Sequence, residues 1–200
     1  MGYTSVMSTA DPSRTRDHEP RGFPRSVLDR WPSAAGLVVA LVTTFTLDAV
    51  TDAAPVVTAS AFIYLGAAAL GLPKSAWPLF GLSFVLITIG IFVPAFDPSW
   101  PMVAVAVVLL GYGLIRGRGK PAFGLPLQSA AMLVLATLAL AVIRFDATVA
   151  GVLIAVALLV HAGWDVHHHR RNRVVHRSMS EFCMVLDTAL ALLVLWVTFR

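Results

Sequence analysis

The sequence predicts an all-α fold, a polytopic transmembrane helix bundle of about seven spans with a cytoplasmic N-terminus. Three observations predict it. Hydrophobic residues make up 58% of the chain and charged residues only 13%, against roughly 45–50% and about 25% in soluble domains. Apolar stretches near the ~20 residues that cross a bilayer recur seven times. Basic residues fall in alternate loops between those stretches. A water-soluble fold of 200 residues leaves too much surface in water to hide so much apolar side chain, whereas lipid accepts apolar surface on every side of a helix.

The expected spans are residues 33–51, 54–72, 76–96, 101–116, 122–143, 147–166 and 180–199. Helix-breaking residues separate them: Asp52 to Pro55, Gly71-Leu72-Pro73, Asp97-Pro98 with Pro101, Gly117 to Pro121, and Arg144-Phe145-Asp146. So little separates the first two spans that a tight helical hairpin is expected there. Residues 1–30 are polar and rich in Pro, Arg and Asp, which reads as a disordered cytoplasmic tail. They do not read as a secretory signal, because the first apolar run follows them and is long enough to span. Residues 31–200 form the membrane domain. Trp31, Trp77, Trp100, Trp164 and Trp196 stand close to span ends, as an aromatic belt requires.

Charge sets the orientation. Arg14, Arg16, Arg21, Arg25 and Arg30 precede the first span. Lys74, then Arg116, Arg118 and Lys120, then Arg170, Arg171, Arg173 and Arg177 follow in every second connection. The intervening connections carry Asp48 with Asp52, Asp97, and the mixed pair Arg144 and Asp146. The positive-inside rule therefore puts the N-terminus in the cytoplasm and the C-terminus outside, in a multi-pass protein of the plasma membrane. Only Arg200 stands on the wrong side. The expected partner is the lipid bilayer, with anionic headgroups at Arg170, Arg171, Arg173 and Arg177. Basic residues held in short segments between apolar runs speak against nucleic acid. Cys183 is the single cysteine, so there is no intrachain disulfide. The two lysines, Lys74 and Lys120, lie outside the spans, which excludes a retinal Schiff base. Arginine in excess of lysine, with abundant Ala, Val and Leu, suits a GC-rich bacterial genome.

Residues 161–187 hold most of the chemistry-bearing side chains. His161, Trp164, Asp165 and His168 have i, i+3, i+4, i+7 spacing and share one helical face, and Ser180, Cys183 and Asp187 share a face of the next span. The two spans are antiparallel and joined by a short loop. Counted from the span ends, His161 lies about 9 Å and Asp187 about 10 Å from the cytoplasmic face, so the two should meet. An ionisable group inside a membrane costs roughly 2.5–3.5 kcal/mol on insertion scales and normally has a partner. His161, Asp165, His168 and Asp187 form a candidate metal set, for a divalent ion such as zinc. His161, Asp165 and Asp187 are the candidate catalytic residues, since the same groups can do acid–base work. The plainer reading makes His161 and Asp165 a structural pair between helices, and His167, His169 and the arginines a topology anchor. Tyr64, Tyr112 and Gln128 read as helix–helix hydrogen-bond partners. Glu181 reads as a first-turn residue with Ser178 or Ser180 as the cap, and Cys183 as a small packing residue. Asp48 and Asp52 read as headgroup-level carboxylates.

Seven spans, a cytoplasmic N-terminus and membrane-embedded His and Asp make the chain similar in topology to the ceramidase and progestin-receptor-like superfamily of intramembrane hydrolases, which hold zinc with three histidines. Those histidines come from the second and last spans. This chain has none in its second span and offers Asp187 in its last, so no zinc ligand is carried over. The His161-x-x-Trp164-Asp165-x-x-His168-His169 and Glu181-Phe182-Cys183-x-x-x-Asp187 pieces resemble small bacterial multi-pass membrane proteins. That resemblance covers about the last quarter of the chain and implies no activity. Two functional expectations result: a metal-dependent or acid–base enzyme acting on a lipid-like substrate, or a non-catalytic membrane component such as a small carrier, a proton path or a partner subunit.

Overall fold

The computed structural model describes residues 30–93 and 95–200. Among them are seven α-helices: α1 (Trp31–Phe45), α2 (Ala54–Leu70), α3 (Ala76–Phe92), α4 (Ser99–Ile115), α5 (Leu125–Ala141), α6 (Ala147–Arg171) and α7 (Arg177–Phe199). No strand occurs among the described residues. The expected tail lies outside them, apart from Arg30. Five segments are long and apolar enough to cross a membrane: Val50–Leu70, Pro73–Phe92, Leu125–Arg144, Ala147–Arg171 and Arg177–Phe199. The apolar helices α1 and α4 are shorter.

Local chemistry sets the helix ends. Pro55 sits in the first turn of α2, where a missing N–H goes unnoticed. Gly71, at φ +60°, ends α2 in the left-handed region that glycine adopts freely. Asp146 caps α6, its Oδ1 accepting the Thr148 and Val149 N–H groups at 3.0 and 3.1 Å. The expected spans 147–166 and 180–199 marked only the apolar parts of α6 and α7. Nothing between His167 and Arg171 breaks a helix, so α6 continues to Asn172, which ends it at φ 48°. At the start of α7 the cap is His176, not a serine: its Nδ1 accepts the Ser178 N–H at 3.3 Å. Glu181 instead accepts the Ser33 hydroxyl of α1 at 2.6 Å.

Fourteen of the residues of α2 are buried, so this helix is the axis of the bundle. It packs against α3, α4 and α5, while α6 pairs closely with α7. The expected hairpin of the first two spans is not formed. Helix α1 lies against α7 instead. Pro32, Gly36 and Ala40, spaced four apart, make its buried face. Gly36 is so close to α7 that a Cβ there would stand 2.5 Å from the Phe182 carbonyl oxygen. Small residues at this spacing let two backbones approach, which dispersion forces reward. A 3-10 turn over Val50–Ala53 then redirects the chain into α2. Asp52 builds that turn, its Oδ2 accepting the Asp48 and Ala49 N–H groups at 3.0 and 2.8 Å.

The basic connections meet at one end of the bundle. The His176 N–H donates to the Pro73 carbonyl at 3.2 Å. The Trp77 indole donates to Ser178 at 3.1 Å. The Arg173 guanidinium lies 4.3 Å over the Phe123 ring. Alternate connections, bearing Asp48, Asp52, Asp97 and Asp146, fall at the opposite helix ends.

The docking of α1 generates a paired test. Gly36→Ala inserts a methyl group against backbone that cannot rotate away and is expected to lower stability by about 1–3 kcal/mol. Gly81→Ala meets nothing within 4 Å and is expected to be neutral or stabilising by up to about 1 kcal/mol. Thermal unfolding in detergent measures both, and equal effects would show that α1 does not press on α7 through Gly36.

Candidate metal centre

Three helices contribute to one buried polar cluster. Helix α6 presents His161 and Asp165 on one face, α7 presents Asp187, and α2 presents Ser60 and Tyr64. The approach of His161 to Asp187 expected from the antiparallel pair is present. His161 Nδ1 lies 2.9 Å from Asp187 Oδ2 and 3.3 Å from Asp165 Oδ2. Tyr64 donates its hydroxyl to Asp165 Oδ1 at 2.6 Å. The Ser60 hydroxyl stands 3.4 Å from both oxygens of Asp187 and 3.1 Å from the Val56 carbonyl. His161 is 5% exposed and both aspartates are 0% exposed, so the cluster is shut off from bulk solvent.

One oxygen is left over. Asp165 Oδ2 is buried and lacks a hydrogen-bond partner. The His161 nitrogen is near enough to pair with it electrostatically, but hydrogen-bonding geometry favours Asp187. A buried carboxylate oxygen without a partner costs roughly 1–3 kcal/mol or more, which an added ligand would relieve. Charge balance points the same way. Two ionised carboxylates carry two negative charges, which one divalent cation, or one proton on the imidazole and one on a carboxylate, would cancel.

The two spacings from His161 match those around a metal ion as well as those of a direct hydrogen bond. Ligand atoms bound at about 2.0–2.2 Å stand about 2.9–3.4 Å apart when tetrahedral or octahedral neighbours. The nitrogen–oxygen separations of 2.9 and 3.3 Å fall in that range, and all three ligand atoms lie within 4.8 Å of one another.

His168 stands outside this trio. It lies about 10 Å along α6 from His161, against about 6 Å for Asp165. Its ring is committed elsewhere, with Nδ1 3.0 Å from the Trp164 carbonyl and Nε2 3.5 Å from the Gln128 amide nitrogen. A carbonyl only accepts, so Nδ1 carries the proton and Nε2 receives one from Gln128. The Tyr64 ring packs edge-on against both imidazoles, with centroids 5.3 Å from His161 and 5.0 Å from His168. Of the other residues singled out, His167 is exposed, and His169 Nδ1 lies 3.2 Å from the Arg177 carbonyl. Tyr112 is 42% exposed and away from the cluster. Cys183 is buried, with its thiol on Met179 at 3.6 Å.

The trio also lies farther from the helix ends than from the ends of the apolar stretches. Because α6 and α7 extend beyond their apolar stretches, His161 and Asp187 each lie about 15 Å from the helix end. The sequence reading had Tyr64 as a helix-packing partner and passed over Ser60. Their signal was a polar pair spaced four residues apart in an otherwise apolar span.

Removing one hydroxyl tests the network. Tyr64→Phe keeps the ring and leaves Asp165 Oδ1 without its donor, an expected loss of about 1–3 kcal/mol. Tyr112→Phe, at a half-exposed phenol, is expected within about 0.5 kcal/mol of the parent. Thermal denaturation of the two variants side by side decides it, and indistinguishable values would deny Tyr64 its place in the cluster. No protein-family model matches the chain, nor does any curated protein or solved structure, so the two resemblances rest on their motifs and topology alone.

Proposed function

We propose that this chain is a multi-pass plasma-membrane enzyme in which His161, Asp165 and Asp187 hold a divalent metal ion and act on a lipid-like substrate. The observation that carries the reading is the convergence of one imidazole nitrogen and two carboxylates on a buried point with an unpartnered oxygen. A nitrogen with two oxygens is a hard-to-intermediate donor set that suits zinc or iron. Three protein ligands leave positions for water or substrate, and a bound metal supplies Lewis acidity and a reactive hydroxide at neutral pH. Tyr64 would orient Asp165 through its hydrogen bond, and Ser60 would contact Asp187. A second reading has its own support. Tyr64, Asp165, His161, Asp187 and Ser60 form a continuous polar chain, which suits a proton path that needs no metal.

In this reading all seven helices cross the bilayer, with the N-terminus in the cytoplasm and the C-terminus outside. The gathering of basic connections at one end supports it. Arg170, Arg171, Arg173 and Arg177 would lie at anionic headgroups. At about 22 and 25 Å, α1 and α4 are shorter than the ~30 Å hydrocarbon core and would reach across with their flanking segments.

Elemental analysis of the purified chain tests the metal. Near one ion per chain is expected, lost in His161→Ala and Asp187→Asn and retained in His168→Gln. Affinity should fall as the pH is lowered, because protons compete for the same three ligands. A metal-free parent chain, with the variants merely less thermostable, would leave the proton path standing. For orientation, an impermeant thiol reagent applied outside the cell should label Asp97→Cys and not Arg118→Cys, both placed in a Cys183→Ser background. Labelling at position 118 would reverse the assignment.

A further inference from the structure

The ring of helices around α2 is open on one side. Helix α1 is drawn onto α7, and α3 rests on α2 with little else touching it. Between α1 and α3 runs a slot of about 290 Å³. Along α3 it extends from Phe80 to Phe92, about 18 Å at helical rise. A narrow apolar slot of that length has the form of an extended alkyl chain.

The walls are apolar even where the residue type is not. Ser83 and Thr88 turn their hydroxyls back to the carbonyls of Leu79 and Phe84, at 2.9 and 2.8 Å. Thr46 does the same to Thr43 at 2.8 Å. These groups are satisfied within their own segments and present methyl and methylene surface to the slot.

The two ends differ. At the end near the basic connections Phe80 lines the slot, and behind it lies an aromatic cluster, with Trp77 and Phe80 centroids 5.4 and 4.8 Å from Phe182 and Trp31 tilted against Trp77 at 5.1 Å. The opposite end opens beside Leu47 and Asp52, and the side towards lipid is rimmed by half-exposed Val42, Phe84 and Ile91. Ser60 and Cys183 line the slot on its inner wall, and Ser60 is also the residue that touches Asp187.

We propose that the slot holds one acyl chain of a bilayer lipid, with the headgroup at the Asp52 mouth and the chain running down to rest against Ser60, beside the His161–Asp165–Asp187 centre. A chain can slide in sideways between α1 and α3 while its headgroup stays at the membrane surface. Transfer from bilayer to slot then moves no polar group into hydrocarbon. The inference deepens the enzyme reading and rests on it in one respect: the part of the substrate that the slot presents to the centre is the chain, not the headgroup.

The test uses the full chain in phosphatidylcholine vesicles whose acyl chains carry a diazirine, near the carbonyl in one preparation and near the methyl end in the other. After irradiation, crosslinks are mapped by mass spectrometry. The carbonyl-proximal probe should mark the segments around Leu47, Asp52 and Ile91, and the methyl-proximal probe those around Ala59, Ser60 and Cys183. Ala59→Trp, which fills the slot, should reduce methyl-proximal labelling several-fold. Ile91→Trp narrows the rim from an exposed position and should do so even if Ala59→Trp folds poorly. Val107→Trp, on the lipid-facing side of α4, should change nothing. Labelling in the reverse order, or spread evenly over Val107, Val108 and Leu133 without enrichment in the slot, overturns the proposal. Metal content measured on the same samples separates the two readings. Slot labelling without metal removes the metal centre alone, and metal without slot labelling removes the acyl-chain site alone.

Discussion

The polar cluster at the meeting of α2, α6 and α7 depends on one contact, the imidazole of His161 set between the carboxylates of Asp165 and Asp187. It ties α6 to α7 across the interior, and through Tyr64 and Ser60 it ties both to α2. A bilayer interior has no water to stand in for a missing partner, so each member constrains the others. Moving Asp187 away would leave an imidazole facing Asp165 alone, and moving Tyr64 away would leave a second carboxylate oxygen unpartnered. Because the set has more negative charge than its own imidazole can cancel, it calls for something from outside: protons or a cation. That demand is what the proposed metal ion or proton path would meet.

Helix packing follows from a different rule. Inside lipid, apolar side chains gain nothing by leaving one apolar surface for another, so close approach of backbones decides which helices pair. Helix α1 has a narrow face of Pro32, Gly36 and Ala40, and α7 receives it. Helix α3 has no such close approach to α7 at a glycine: Gly81 meets no neighbour, and Gly90 faces Pro98 of the following connection. The unequal packing of these two helices is the origin of the slot between them. Behind its basic end lies the aromatic cluster in which Trp31, Trp77 and Phe182 meet.

Much of this was legible in the sequence, because apolar run length and helix punctuation are one-dimensional signals. All seven helices lie close to the expected spans, and the meeting of His161 with Asp187 follows from helical spacing, antiparallel order and a short loop. Rotation about each helix axis is not one-dimensional, and there the reading was incomplete. His168 shares a face with His161, yet a two-turn offset and the carbonyl of Trp164 direct its ring to Gln128. Tyr112 and Gln128 looked equivalent, and one faces outward while the other is buried. The hairpin expected of the first two spans came from loop length alone. It overlooked that the small residues spaced four apart on α1 face α7, and that Asp52 builds a turn between the two helices.

The partnership of α1 with α7 joins the first of the described helices to the last of them. A chain emerges from the ribosome N-terminus first, and domains generally form in that order. Here α1 must wait until α7 has been made before it can dock. Contacts of such long sequence separation form late and slowly. The slot between α1 and α3 lacks its α1 and α7 walls until that moment, and Asp187 arrives on the same helix α7. Assembly of the interior and closure of the slot are therefore a single event, and a chain that stops before α7 has neither.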